Sequence, residues 1–440
     1  MKKCQSLSIL LIAMLMSSVS SAEDLMQVYD MALKSDPQLL AEMASRQAVA
    51  EQQQQAKARF LPNIALKANT GRVWQDTSAR LFSGSVVNNN HGFTLSLSQP
   101  IYHRENFVQK EQATIAIDSE KASYQIVDQA LIVRVATRYF DLLGKQDDLT
   151  FAISERKAIA QQLDQTQQRF DVGLATITDV VESQAAYDLA NASVISAENE
   201  VANSKERLRE TSGKYLDSVS QLNAESPLIS PEPEDINKWS EVALVQNPNL
   251  IVVKKSVDNA GQVIELQKSG HYPSLDIVAQ KDYSSQSDTV IGGGRNQTQQ
   301  KSISLQFNLP IYEGGSVQSK TREAEHRLDQ AMQKEEQQRR LVVRQSHEAY
   351  NSVMSGISSV KALKQAVASN QKALESTEAG YEVGTRTTVD VLNVRRDLFR
   401  AKRDYASARY NYILASLRLK QAAGTVSVDD LKNINQWLGK

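Results

Sequence analysis

Two stretches decide how this chain folds: RFDVGLATITDV, residues 169–180, and GYEVGTRTTVDVLN, residues 380–393. Each places a glycine, Gly173 or Gly384, where the backbone must reverse tightly, because glycine enters left-handed conformations without a side-chain clash. A threonine-bearing segment then opens a new helix, and an acid, Asp179 or Asp390, follows six residues after the glycine. The pattern is therefore helix, tight turn, capped helix, written twice.

The flanking sequence says how long those helices are. From Asn106 to Phe170 there is no proline and one glycine, Gly144. About 65 residues of unbroken helix would extend roughly 98 Å. From Ile177 a second helical pattern runs to Gly213, placed as a C-terminal cap. Ser316 to Tyr381 and then the run to Gly424 repeat both features. Strict heptads do not hold throughout, which argues against a plain filamentous coiled coil.

The repetition extends well beyond the turns, at an offset of 210 to 211 residues. Ala32-Leu33, Asp36-Pro37 and Leu39-Leu40 match Ala243-Leu244, Asn247-Pro248 and Leu250-Ile251. Leu61-Pro62-Asn63-Ile64 matches Tyr272-Pro273-Ser274-Leu275, and Pro100-Ile101-Tyr102 matches Pro310-Ile311-Tyr312. The chain reads as a signal peptide at 1–22, a first structural repeat at 23–222, a linker at 223–237 with Pro227, Pro231 and Pro233, and a second repeat at 238–440. The helices look one-sided, so the halves are expected to interlock rather than fold as separate domains.

Each half also holds a pair of strands. Phe93, Leu95 and Leu97 alternate with Thr94, Ser96 and Ser98; Ile303, Leu305, Phe307 and Leu309 alternate with Ser302, Ser304, Gln306 and Asn308. Period two puts one set on each face. The partner strands near Ile64–Asn69 and Leu275–Ile277 alternate less cleanly, and polar loops are expected at about Asp76–Asn90 and Ser284–Gln300. Alternation of this kind suits an outer-membrane barrel and a half-buried soluble sheet equally. Four strands cannot close a barrel, so in a membrane several chains must share one: two copies give eight strands, three give twelve.

The totals fit an exported protein. Lys2 and Lys3, an apolar run from Leu7 to Leu15 and small residues ending in Ser20-Ser21-Ala22 form a secretory signal, expected to be cut after Ala22. Its removal leaves 418 residues with a net charge near −3, and takes Cys4, the single cysteine, with it. No basic surplus marks a nucleic-acid binder. No later stretch is apolar enough for a membrane helix, so any membrane crossing must use strands. The five histidines, His91, His103, His271, His326 and His347, lack metal-ligand spacing, and no phosphate loop or nucleophile elbow is present. No catalytic residue, cofactor or metal is expected, and any energy source must lie in a partner.

YEVGTRTTVDVL, with LPNIAL, LPIYEGGS and the ALxxxPxL starts, resembles the TolC family of outer-membrane efflux and secretion channels over essentially the whole mature chain. The resemblance implies an α+β membrane protein, a homotrimer with a 12-stranded β-barrel, four strands per protomer, continued by a long α-helical periplasmic tunnel. It implies a passive exit duct in the outer membrane of a Gram-negative bacterium, reaching into the periplasm and working with a periplasmic adaptor and an inner-membrane transporter. By motif position, Asp390 and Asn393 fall at the pore constriction. Gate links fall on Tyr381 and Arg386 with Thr178 and Asp179. The turns Gly173, Leu174, Ala175, Thr176 and Gly384, Thr385 fall where an adaptor docks. One family pattern carries a second aspartate where this chain has Asn393, which leaves one charged ring and one neutral ring. Arg395 and Arg396 lie about 140° and 240° round the helix from Asp390 and are expected to face away from the pore. The rival readings are an ungated porin and a structural periplasmic coiled coil.

Overall fold

The computed structural model describes residues 22–79, 82–216, 218–224, 226–287 and 294–439. The expected signal peptide, Ala22 apart, and Gly292-Gly293 lie outside them.

Two short helices open each half. Helix α1, Leu25–Ser35, starts in a capping box made by Asp24 and Gln27. Helix α2, Pro37–Ala58, follows at once because Asp36 ends one helix and caps the next, and Pro37 occupies a first-turn position that needs no N–H donor. The Asp36 carboxylate accepts from the Leu39 N–H at 2.9 Å and pairs with Arg134 at 2.8 Å, so its burial is compensated. Asn247-Pro248 makes the same junction between α5, Ile236–Gln246, and α6, Pro248–Lys268.

Among the described residues four strands follow the order β1-β2-β3-β4, every neighbour antiparallel: β1 is Asn63–Ala79, β2 Phe82–His103, β3 Ser274–Gln286 and β4 Asn296–Asn308. The strands run further than their alternation implied. Much of the stretch expected as loop at Asp76–Asn90 is paired, Gln75 with Val86 and Asp76 with Ser85, and Ser284–Gln286 pairs with Asn296–Thr298. Backbone hydrogen bonds extend a hairpin beyond the point where one face is apolar, so polarity there does not end the strand. A bulge at Pro100–Tyr102 inserts one extra residue and reverses the alternation, turning Tyr102 to the apolar face and His103 to the other, where it meets Asp276 at 3.0 Å. β1 and β4 each have a free edge within the chain.

The long helices are α3, Arg104–Asp171, 68 residues; α4, Ile177–Ser212, 36 residues; α7, Ser316–Glu382, 67 residues; and α8, Thr388–Ala423, 36 residues. The first part of α3 lies on α2 and α6, with Arg46 over Tyr124 and Lys255 near Asp118. Its later part lies on α4 and α8. Both C-terminal caps anticipated from sequence are left-handed glycines, Gly213 at φ 71° and Gly424 at φ 77°.

The main core sits midway along the molecule, where α1, the centre of α3, the ends of α4 and α8, the linker and α9, Val428–Asn435, converge. Leu131, Val135, Ala136, Tyr139, Phe140, Leu143, Ile413, Leu417 and Leu431 are buried there. The Tyr139 hydroxyl donates to the Ser220 carbonyl at 2.8 Å, and burial raises its pKa. Among the described residues no helix is long and apolar enough to cross a membrane.

Candidate functional site: the paired hairpin turns

The two long hairpins end in turns built alike. Gly173 and Gly384 both sit at φ 79° with open space where a side chain would go. The Leu174 N–H bonds back to the Arg169 carbonyl at 2.7 Å, and the Thr385 N–H to the Gly380 carbonyl at 2.8 Å. Gly380 is needed for a different reason: a Cβ there would lie 2.8 Å from Cγ of Arg386, which folds over it. Val172, Leu174 and Val383 are largely exposed at the tips.

Each acid closes a capping box. Asp179 Oδ2 accepts from the Thr176 N–H at 2.9 Å and hydroxyl at 2.7 Å; Asp390 Oδ2 accepts from the Thr387 N–H and hydroxyl, both at 2.9 Å. The Thr176 hydroxyl holds the Asp179 carboxyl below the usual carboxylate range, with the Thr176 backbone, Thr388 and Arg169 assisting. For Asp390 the Thr387 backbone N–H dominates, then its hydroxyl, with the charge of Arg386 assisting. Within one protomer, therefore, both acids stay ionised at neutral pH and both hold helix starts.

The structure connects the turns through residues that the sequence alone left unassigned. Arg169 stacks its guanidinium 4.7 Å from the centre of the Tyr381 ring. Buried Thr388 places its hydroxyl 3.4 Å from the Tyr381 hydroxyl and helps hold the Asp179 carboxyl ionised. Tyr381 thus reaches the first turn by way of Thr388 and Arg169, while Arg386 faces Asp390 on its own hairpin. Thr178 is exposed in the first turn of α4. Neither Arg169 nor Thr388 stands out in isolation, although Arg169 opens the first quoted motif.

Above the turns, α8 is tied to α3 by three polar links. Arg395 donates to the Ala158 carbonyl at 2.6 Å and to Glu378 at 2.5 Å, Arg403 bonds Glu155 at 3.0 Å, and the Tyr410 hydroxyl bonds Asp147 at 2.6 Å. Arg395 points into this seam with its side chain 12% exposed. Arg396 donates to the amide oxygen of Asn393 at 2.9 Å. Asn393 and Arg396 line a groove of about 780 Å³ between α3, α4 and α8, together with Arg400, Arg403, Glu155, Glu182 and Glu200. No group of acids and histidines among the described residues could hold a metal ion.

Comparison with known proteins agrees on one family. The profile described as outer membrane efflux protein matches twice, over residues 28–214 and 239–425. The chain is 36% identical over 435 residues to the outer membrane protein TolC of Escherichia coli, spanning 96% of this chain and 87% of that one. It is 26% identical over 414 residues to the alkaline protease secretion protein AprF of Pseudomonas aeruginosa, covering 93% and 86%. Among solved structures, the CmeC outer membrane channel of Campylobacter jejuni superposes with a TM-score of 0.76 at 16% identity, over 95% of this chain and 90% of that one. The four strands are accordingly one third of a twelve-stranded barrel that three copies close, which gives the free edges of β1 and β4 their partners. The chain belongs to the outer membrane efflux protein family of TolC-like channels, set in the outer membrane and extended by its helices into the periplasm.

Proposed function

We propose that this protein is the exit duct through which an inner-membrane transporter, joined by a periplasmic adaptor, passes drugs or polypeptides across the periplasm and outer membrane. The supporting observation is the pair of exposed turns at the end of the hairpins far from the sheet, cross-linked through Arg169, Tyr381, Thr388 and Asp179. A conduit open to the outside needs a closure at its inner end, and contacts between helix starts that must part are suited to that task.

Asp390 and Asn393 line the constriction in this reading. Tyr381 and Arg386 with Thr178 and Asp179 hold it shut. The turns Gly173, Leu174, Ala175, Thr176 and Gly384, Thr385 receive the adaptor, the open space at Gly173 and Gly384 letting a partner helix approach the backbone. Residues 23–222 and 238–440 act together, each supplying one hairpin of the tunnel wall. Both turn acids are already occupied by threonine caps, so they serve a lumen or a gate while holding their helices in place.

Planar-bilayer recording of purified trimers tests the closure. The wild type should be mostly closed at rest, and Tyr381→Phe with Arg386→Ser should raise resting conductance several-fold in intact trimers. A wild type open at rest would mark a porin instead. Unchanged low conductance in the double variant would remove these residues from the gate. Loss of the protein should also sensitise cells to dyes and detergents, stop secretion of a polypeptide, or both.

A further inference from the structure

We infer that the outward face of the barrel carries a site for the phosphate-bearing headgroup of an outer-leaflet lipid, built on Lys281 and Lys301. Strand pairing places Leu66, Leu95, Lys281 and Lys301 in one row across the sheet, all on the same face. That face is the apolar one. The next row towards the helices is Ile64, Leu97, Ala279 and Ile303, followed by Ile277 with Leu305 and by Leu275 with Phe307. The next row towards the hairpin tips is Ala68, Phe93, Tyr283 and Gln299, in which Phe93 and Tyr283 stack at 5.6 Å. The two lysines therefore sit at the outer edge of the lipid-facing band, one row inside an aromatic girdle.

Two lysines directly opposite on adjacent strands repel, and each also disfavours a lipid-facing position. Neither makes an ion pair among the described residues. Along the outward positions of the four strands, the one carboxylate among the described side chains is Asp76, ten residues along β1 from the lysine row. The cations on this face are Lys281, Lys301 and, further out, Arg72, which lies 5.8 Å from the Trp74 ring. Lys281 already extends towards the tips: its Nζ is 5.9 Å from the centre of Phe93, in the row beyond its own. This is a snorkelling lysine whose ammonium reaches the headgroup level while its stem stays with the acyl chains. A paired cation over an aromatic floor at that depth matches a phosphate on an outer-leaflet glycolipid, which relieves the repulsion that the sheet leaves unbalanced.

The test uses full-length trimers in mild detergent. They are titrated with bisphosphorylated lipid A, with its dephosphorylated form and with inorganic phosphate, while bound lipid is counted by native mass spectrometry and thermal dissociation of the trimer is followed. The phosphorylated lipid should bind and raise the dissociation temperature, and the dephosphorylated form should bind roughly tenfold to thirtyfold more weakly, since each lysine near an anionic surface is worth about a factor of five. Lys281→Gln with Lys301→Gln should erase that difference, while Lys281→Arg with Lys301→Arg should keep it. High salt should weaken lipid A binding to the wild type, a readout independent of any variant. Equal binding of the two lipids, undiminished binding by the glutamine pair, or no salt effect would overturn the site. Stabilisation by inorganic phosphate alone to the same degree would reassign it to a free anion and overturn the lipid as its occupant.

Discussion

Replacing Arg395 by methionine isolates the seam between the two hairpins of one protomer. The guanidinium gives charge-assisted bonds to the Ala158 carbonyl at 2.6 Å and to Glu378 at 2.5 Å, from a side chain 12% exposed. Bonds of this type contribute about 1.5 to 3 kcal/mol each. Methionine keeps the apolar stem, and Glu378, more exposed than its partner, recovers water. Only the Ala158 bond crosses the seam, since Glu378 stands on α7 within the hairpin of Arg395, so the joined state should lose about 1.5 to 3 kcal/mol per protomer. At about 1.4 kcal/mol per tenfold, 2 kcal/mol shifts the balance between joined and parted hairpins roughly thirtyfold. Arg395→Met trimers should therefore show frequent openings at rest in planar bilayers, with Arg395→Lys intermediate and Glu378→Gln milder than Arg395→Met because Ala158 keeps its donor. Intact Arg395→Met trimers as silent as the wild type would refute a seam that restrains opening. A variant that loses trimers instead would assign Arg395 to folding alone.

Gly173→Val forces a branched side chain into backbone at φ 79°, at a strain of about 1 to 2 kcal/mol, yet meets open space, so membrane trimers should persist while export fails; normal export in such cells would move the docking site elsewhere. Three copies of Asp390 around the proposed constriction should bind cations that block the pore; Asp390→Asn removes the charge and keeps an oxygen for the Thr387 cap, so that block should weaken without unfolding of the α8 start, as read by blocker titration in bilayers. Because Asn393 carries no charge, that one change should remove most of the block. The folded pKa values of Asp179 and Asp390 both lie below the ordinary 3.8, so their contribution is complete above that value and is lost as pH falls through the depressed folded values. Amide exchange at the first turns of α4 and α8, corrected for intrinsic rates, should be flat from neutral pH down to about 4 and accelerate only in stronger acid; a change centred near neutrality would exclude these caps as its source.

Much of this architecture is written in local signals. The turn glycines, the Asp-Pro and Asn-Pro junctions and the cap glycines Gly213 and Gly424 act within a few residues of themselves, so sequence spacing places them well. Strand ends were less legible, because pairing of Gln75 with Val86 depends on a partner strand and not on polarity. The bulge at Pro100–Tyr102 likewise shows only once β3 is alongside. At the turns, Thr176, Asp179, Thr387 and Asp390 follow from the capping pattern, but the bridge through Arg169 and Thr388 arises where two hairpins 211 residues apart in sequence meet. Helical spacing turns Arg395 away from the Asp390 face; that it grips Ala158 is a fact of packing.

The placement of the core has a mechanical meaning. Helix α8 is anchored at its C-terminal end, where Tyr412, Ile413, Leu417 and Leu419 are buried and Gly424 abuts the Gln246 carbonyl so closely that a Cβ would lie 2.4 Å from it. Its other end, at Thr388, is held by a small apolar cluster of Leu374, Val391 and Leu398, by the contact of Thr388 with Tyr381 at the turn and by the polar links of the seam. Thirty-six residues make a beam of about 54 Å, clamped at one end. A swing of about 0.1 radian at the clamp carries the tip about 5 Å, more than the length of any bond that holds it. The beam trades a tilt too small to disturb the packed centre for a tip displacement large enough to part every contact there at once.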